Sequence, residues 1–256
     1  MAKSRSTITE VYTIPSAGSK IYAGIEMPSQ FTLRAMTTLE EKMRLASSDG
    51  LKVIPKIIKS CCVEPEATPD LRRLKLFDLQ FLMYKLRTIT YGSEYDVDII
   101  CPHCGKQNRI KVDLDSLLVN EVPEDFTEPF AIGPLPVSKD TIGCRFLNTI
   151  DFNDIEMESK RIMNKFPDYE GNPEMIIKWN YIITEINGEA VSVRDIQPYI
   201  ESMHAKDYRY LESKYEQFNS KFGLDIDLIE KCSACEGDIN FALPMTSEFF
   251  RPEYWD

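Results

Sequence analysis

The sequence has no apolar run close to the roughly 18 residues that a membrane-spanning helix needs. Only two of its 256 residues are histidine, and it contains neither a GxxxxGK phosphate loop nor a GxGxxG motif. These absences exclude the commonest nucleotide-binding motifs and leave few residues for general acid–base catalysis. We therefore expect a protein that is not an enzyme, with no catalytic residue and no organic cofactor.

The N-terminal stretch, residues 1–12, is polar and lacks the apolar core of a signal peptide. The chain has seven cysteines, an odd number that does not suit a secreted disulfide framework. Both features predict a protein that stays in a reducing cytoplasm. The net charge is −11, and such a chain is repelled by nucleic-acid phosphates unless its cations are concentrated on one face. Protein partners are therefore favoured over nucleic acid, and a membrane partner is not expected.

With 43% apolar and 28% charged residues, the composition is that of a globular protein. Short extended segments alternate with turns in the first 34 residues, and Thr38-Leu39-Glu40-Glu41 has the pattern of a capping box. Asp70 to Thr90 gives the strongest helical pattern in the first half, with Gly92 as its stop. Alternating strand patterns flank Cys101 and Cys104.

The predicted fold is α+β: a mixed helical and short-strand domain with a split four-cysteine, zinc-ribbon-like module that carries a large, mostly helical insertion. Four parts are expected: an N-terminal strand and helix region (1–94), the split module (95–114 and 229–246), the inserted domain (115–228) and an aromatic C-terminal tail (247–256).

Two CxxC pairs form an internal repeat. Aligning Cys101 with Cys232 also aligns Cys104 with Cys235, and each pair is followed at the same offset by alternating apolar residues. A CxxC turn presents two thiolates on one side of a tight loop, and two such turns complete a tetrahedron around Zn²⁺. The sequence therefore predicts one zinc ion bound by these four cysteines. Gly105 and Gly237 are expected to give the turns their backbone freedom.

The two pairs are separated by 127 residues, whereas zinc ribbons usually have about 15–20. The longer loop adds only about 2 kcal/mol of closure entropy, against about 10–16 kcal/mol for a structural zinc site. The intervening block is therefore expected to fold as a unit with its ends close together. Four thiolates leave no open coordination position, so the zinc is predicted to be structural rather than catalytic.

Other interpretations of the cysteines stay open at this point. The tetrapeptide Cys101-Pro102-His103-Cys104 also occurs in thiol oxidoreductases, the four thiols can form two metal-free pairs, and His103 can replace one cysteine as a ligand. The remaining cysteines lie outside any ligand spacing and are expected to be packed thiols: Cys61, Cys62 and Cys144.

Three further features have a functional and a structural interpretation. Acidic residues between Asp151 and Glu158 either form a catalytic carboxylate site or complement a helix dipole. Cations near the first CxxC pair, such as Arg109 and Lys111, either contact nucleic acid or cover a solvated strand face. The aromatic residues from Phe249 to Trp255 either pack against their own core or insert into a partner.

The layout as a whole resembles the baseplate hub and hub-assembly proteins of T-even-type contractile-tailed phages. The resemblance covers nearly the full chain and depends on an ordered set of features: Ile14-Pro15-Ser16 with Gly18 and Tyr22, the segment Leu33 to Glu41, the broad helix at 74–90, Cys101-Pro102-His103-Cys104-Gly105, the helix from Asp207 and Tyr208 to Gly223, the second CxxC pair, and Phe249-Phe250-Arg251-Pro252.

This resemblance implies a non-enzymatic structural or assembly role in the hub region of a phage tail baseplate. It also implies other baseplate or hub proteins as partners, with tape-measure proteins as further candidates, in a multi-subunit assembly. The protein would be in the host cytoplasm during assembly and in the virion if it stays in the finished tail. The alternative function is a zinc-ribbon adaptor in a nucleic-acid or transcription assembly.

Overall fold

The computed structural model describes residues 8–46, 50–167, 171–243 and 247–250. It confirms the predicted α+β class, with helices and small antiparallel sheets. The helices are α1 (Thr38–Ala46), α2 (Gly50–Cys61), α3 (Leu76–Tyr91), α4 (Thr149–Lys165), α5 (Glu174–Ile182), α6 (Val193–Ser202) and α7 (Ala205–Asn219), with 3₁₀ turns at Leu71–Arg73 and Ser247–Phe250. Within these ranges, no helix is both long and apolar enough to cross a bilayer.

The strands are short, and all their pairings are antiparallel. Two-stranded sheets join β1 (Thr9–Thr13) to β2 (Gln30–Arg34), β3 (Glu94–Ile100) to β4 (Gln107–Asp113), β5 (Val119–Asn120) to β10 (Gly223–Leu224), and β11 (Asp227–Lys231) to β12 (Asp238–Ala242). The four-stranded sheet has the order β6 (Phe130–Ile132), β7 (Ile142–Cys144), β8 (Ile183–Ile186) and β9 (Glu189–Ala190).

α3 lies at the centre of the molecule because apolar side chains cover most of its circumference. Leu79, Leu82 and Leu86 are fully buried in a first apolar cluster, which also includes residues of α2 and β2. Phe77 belongs instead to a second cluster, built mainly by the segment between residues 122 and 222. The helix therefore connects the two largest apolar clusters of the described residues.

The predicted helix at Asp70–Thr90 is interrupted, because a 3₁₀ turn ends at Arg73 and α3 begins at Leu76. Between them, the Lys75 backbone N–H donates to the Tyr22 hydroxyl at 2.7 Å rather than to a helical carbonyl. The Tyr22 hydroxyl in turn donates to Asp78 at 2.8 Å. A hydrogen bond from a distant segment thus sets the start of α3.

Asp78 lies fully buried on α3 and holds the segment before β2 in place. Its carboxylate accepts the Ser16 N–H at 3.1 Å and the Ser16 hydroxyl at 2.6 Å, besides the Tyr22 hydroxyl. Burial raises the pKa of Asp78 to about 6, although these donors act in the opposite direction. The residues Ser16 and Tyr22, which contribute to the family resemblance, are therefore structural anchors.

The two ends of the segment between the cysteine turns lie next to each other. Val119 and Asn120 of β5 pair with Leu224 and Gly223 of β10, and the Asp225 N–H donates to the Leu118 carbonyl at 2.9 Å. Gly223 has φ +88°, and a Cβ there would lie 2.8 Å from the Cβ of Phe77. The chain can therefore approach α3 this closely only because residue 223 is glycine.

The first two aromatic residues of the C-terminal tail are buried. Phe249 and Phe250 are both 0% exposed. The Phe249 ring lies 4.3 Å from Tyr84 and 4.9 Å from Tyr95, measured between centroids, and the Arg87 guanidinium lies over it at 5.5 Å. These two phenylalanines pack against their own core, while residues 251–256 of the tail lie outside the described residues.

The capping box of α1 is one residue earlier than the sequence pattern predicts. Thr37, not Thr38, is the capping residue, and its N–H and hydroxyl donate to Glu40 at 2.8 and 2.7 Å. Glu40 is fully buried and also accepts from Arg34 at 2.8 Å and from Ser60 at 2.6 Å. Burial alone would raise its pKa, but these donors lower the pKa of Glu40 to about 2.

We expect the Glu40 carboxylate to make stability depend on acid pH. Because its pKa is lower in the folded than in the unfolded chain, its contribution is present above about pH 4.5 and is lost as the pH falls toward 2. Glu40→Gln should reduce stability at pH 7 and flatten the loss between pH 4.5 and 2. Urea midpoints across this range measure both effects, with the exposed Glu66→Gln as control. Parallel pH curves for Glu40→Gln and the wild type would contradict the assignment.

Candidate metal centre

The two CxxC pairs lie in turns that close two hairpins. In the first turn, the Cys101 N–H donates to the Lys106 carbonyl at 2.8 Å, and the Gly105 N–H to the Cys101 carbonyl at 3.0 Å. The same two bonds recur in the second turn, from Cys232 to Gly237 at 2.9 Å and from Glu236 to Cys232 at 3.0 Å. The internal repeat of the sequence is therefore also a repeat of backbone geometry.

The left-handed residues of the two turns are Gly105, with φ +73°, and Glu236, with φ +56°. The prediction that Gly237 supplies this conformation is wrong. The residue that aligns with Gly105 in the repeat is Glu236, and it adopts the left-handed conformation. Gly237 provides space instead, since a Cβ there would lie 2.7 Å from the His103 ring. The second turn thus has a non-glycine residue in a conformation that L-residues seldom adopt.

The structure brings together all four predicted ligands. The sulfur atoms of Cys101, Cys104, Cys232 and Cys235 lie within 4.8 Å of one another. Two of the pairs that join the hairpins are 3.7 Å apart (Cys101–Cys235) and 3.6 Å apart (Cys104–Cys232). A disulfide requires about 2.05 Å, so these thiols are not bonded to each other.

These sulfur separations suit a tetrahedral metal site. Four sulfurs at about 2.3 Å from Zn²⁺ are about 3.8 Å apart along each edge of the tetrahedron. Cys101 and Cys232 are buried, whereas Cys104 and Cys235 are exposed. Each turn therefore places its first sulfur inside and its second sulfur at the surface.

Backbone N–H groups point at the buried sulfurs in the same way in both turns. The His103 N–H contacts the Cys101 sulfur at 3.4 Å, and the Ala234 N–H contacts the Cys232 sulfur at 3.5 Å. The N–H groups of Ala234 and Cys235 lower the pKa of Cys232 to about 6, although burial opposes them. The thiolate, which is the form that binds metals, is thus favoured at Cys232. At Cys104 and Cys235 backbone N–H groups also lower the pKa, but contacts with the neighbouring sulfurs outweigh them and raise it.

Asn108 of β4 connects the two hairpins, and no motif in the sequence points to it. Its side-chain oxygen accepts the Ser233 N–H at 2.9 Å and the Ser233 hydroxyl at 2.8 Å, while its amide nitrogen contacts the Cys232 sulfur at 3.6 Å. Asn108 is 6% exposed. The sequence does contain a weaker signal for Asn108. Positions 108, 110 and 112 of β4 face inward, and Asn108 is polar where Ile110 and Val112 are apolar.

His103 is not among the clustered residues. Its Nε2 instead lies 3.1 Å from the Asp238 carbonyl, an arrangement in which the ring donates a hydrogen bond to the second hairpin. The remaining thiols, Cys61, Cys62 and Cys144, are buried elsewhere. Burial raises the pKa of Cys61 and of Cys144 to about 12, so both behave as packed thiols.

The carboxylates near the start of α4 have structural partners. Asp151 pairs with Arg145 at 2.8 Å and accepts the Asn148 N–H in a capping box. Glu156 pairs with Lys52 at 2.6 Å and also with Lys160. These contacts account for both side chains without a catalytic role.

Comparison with known families gives one match. The sequence model of the family described as T4 bacteriophage base plate protein matches residues 8–251. The chain belongs to this family. Searches of curated proteins and of solved structures found no match. The expected resemblance to phage baseplate proteins is therefore confirmed, and the chain is a structural phage baseplate protein that interacts with other baseplate proteins. The matched range includes both cysteine turns of this baseplate protein.

We expect Asn108→Ala to weaken the connection between the hairpins by about 1–3 kcal/mol, because Ser233 loses its buried acceptor. Urea unfolding would measure the loss. Asn240→Ala, at an exposed position of β12, is the matched control. Equal stability of the two variants would show that the Asn108 contacts contribute nothing.

Proposed function

We propose that this baseplate protein is a non-enzymatic structural or assembly component of the hub region, stabilised by one structural zinc ion. The ligands would be Cys101, Cys104, Cys232 and Cys235. The observation that supports the metal most strongly is the convergence of four thiols from two hairpins whose cysteine ends share only a small apolar core.

The small core at the cysteine ends of the hairpins is the physical reason for a metal there, whereas their other ends pack on the first apolar cluster through residues such as Val112 and Leu228. Its buried residues are Cys101, Cys232 and Ile239, with Ile99 and Phe241 partly buried against them. Burying a side chain such as Ile239 contributes about 1.5–3 kcal/mol. A structural zinc site, at about 10–16 kcal/mol, exceeds these contributions several-fold.

Zinc fits the donor set because thiolate sulfur is its preferred ligand in closed structural sites. Bound there, Zn²⁺ would supply four metal–thiolate bonds between the hairpins and leave no position for a substrate. Thiol redox catalysis is less well supported, since the first turn is followed by β4 rather than by the helix that activates such cysteines.

The four-part division of the chain is also part of the proposal. The pairing of β5 with β10 supports it, because the two ends of the block at 115–228 meet where the chain leaves and re-enters the cysteine module. In this arrangement the module (95–114 and 229–246) fixes the inserted block relative to the N-terminal region (1–94). The composite surface would bind hub or tape-measure proteins.

The nucleic-acid alternative loses support at the first hairpin. Arg109 pairs with Asp96 at 2.8 Å, and Lys111 pairs with Glu94 at 3.0 Å. These cations of β4 therefore face acids of β3, which cancels most of the local positive potential.

The metal assignment is tested by substitution. Cys232→Ser should lower the bound zinc, measured by plasma mass spectrometry, from about one ion per chain to well below that, and should lower the thermal midpoint together with it. Cys62→Ser, which changes a buried thiol outside the cluster, should keep its zinc. Full zinc content in Cys232→Ser would refute the assignment.

The hub assignment is tested by locating the protein. Quantitative mass spectrometry of purified particles and of baseplate assembly intermediates should find it with central baseplate proteins rather than with peripheral ones. A pull-down from producing cells should recover the same neighbours. Recovery with peripheral baseplate proteins alone would exclude the hub.

A further inference from the structure

α2 and α4 share a cationic surface that the cysteine centre does not involve. Two shallow depressions lie on it, with volumes of about 320 and 640 Å³. The first is lined by Lys52 and Lys56, among others, and the second by Met157, Lys160, Arg161 and Lys165. We call these six residues the α2–α4 surface.

Glu156 links one cation of each depression. Its carboxylate binds Lys52 of the first depression at 2.6 Å and Lys160 of the second through its other oxygen. Among the described residues, the surface therefore carries five cationic side chains, of which Lys52 and Lys160 pair with Glu156, on a chain whose net charge is −11. Such a local reversal of sign creates a positive field that attracts acidic groups.

Two of these cations have no ion-pair partner in the described part of the chain. Lys56 and Arg161 are exposed, and neither forms a salt bridge or a side-chain hydrogen bond there. Met157, beside Arg161 on α4, is 62% exposed. Flexible methionines at a surface adapt to apolar side chains of a partner.

We propose that the α2–α4 surface binds an acidic segment of another baseplate protein. Carboxylates of that segment pair with Lys56, Lys160 and Arg161, and its apolar side chains cover Met157. The inference rests on the proposed assembly role and names the chemistry of one partner.

A protein segment fits this surface better than a nucleic acid does. Glu156 lies in the middle of the cations, where it would repel a phosphate backbone, and the acidic remainder of the chain would repel it further. Phosphates also gain nothing from an exposed methionine, whereas an amphipathic peptide does.

The closing experiment compares the free protein with isolated baseplates and baseplate assembly intermediates. Zero-length carbodiimide coupling, which joins an amine to a carboxylate in contact with it, should link Lys56 or Lys160 to Asp or Glu of a neighbouring protein. Acetylation of Lys56 should be at least about tenfold slower in the assembly, while the exposed Lys20 and Lys206 should react at unchanged rates. Unprotected Lys56 and Lys160 in assemblies that contain the protein overturn this inference alone. Absence of the protein from all such assemblies overturns the proposed function as well.

A charge-reversal pair provides the second readout. Lys56→Glu/Arg161→Glu should reduce incorporation into baseplates by about tenfold or more, because two rim charges become repulsive. Lys20→Glu/Lys206→Glu changes the net charge equally at exposed sites elsewhere and should assemble normally. Both double variants should keep the metal content and the thermal midpoint of the wild-type protein. Equal incorporation of the two double variants into baseplates would contradict the proposal.

The class of partner is tested with two labelled probes. An 18-residue amphipathic peptide of Glu and Leu should bind the wild-type protein about tenfold more tightly than it binds the Lys56→Glu/Arg161→Glu variant, and an 18-nucleotide single-stranded DNA should bind more weakly than the peptide. Tighter binding of the DNA overturns the assignment to an acidic protein.

Discussion

The structure depends on the burial of α3 from two sides. Its middle and C-terminal turns fill the first apolar cluster, while Phe77 near its start contacts Phe146 and Phe222 of the second. Elements far apart in the sequence therefore share one apolar partner, and a change in the position of α3 would affect both clusters. Lys75 strengthens the same junction, because its ammonium group pairs with Glu128 at 2.7 Å and donates to the Phe146 carbonyl at 3.2 Å.

Local patterns predicted the elements better than their boundaries. The apolar periodicity of α3 follows from packing that every turn of the helix repeats, so it is visible in the sequence. Its start is not visible, because the Tyr22 hydroxyl, more than 50 positions away, binds the Lys75 N–H. In the same way, the sequence pattern places the capping box of α1 at Thr38, but the tertiary contacts of Glu40 with Arg34 and Ser60 favour the box that begins one residue earlier.

The cysteine centre was predictable because ligand chemistry restricts both residue type and spacing. Two identical CxxC intervals with similar flanking strands are enough to predict that four thiols meet. Asn108 lacks such a signature, since a single amide facing inward acquires its role only when the second hairpin is in place. The tail posed a similar difficulty, because composition alone does not reveal that Tyr84 and Tyr95 leave a slot for Phe249.

The alternation of buried and exposed sulfurs has a consequence for how a bound ion would leave. Cys104 and Cys235 face solvent, so a chelator or an oxidant would encounter them first. Cys101 and Cys232 would keep their contacts to backbone N–H groups while the outer bonds break. An ion would then be lost from the exposed side first, while the Asn108–Ser233 contact, which involves no metal, would still join the hairpins.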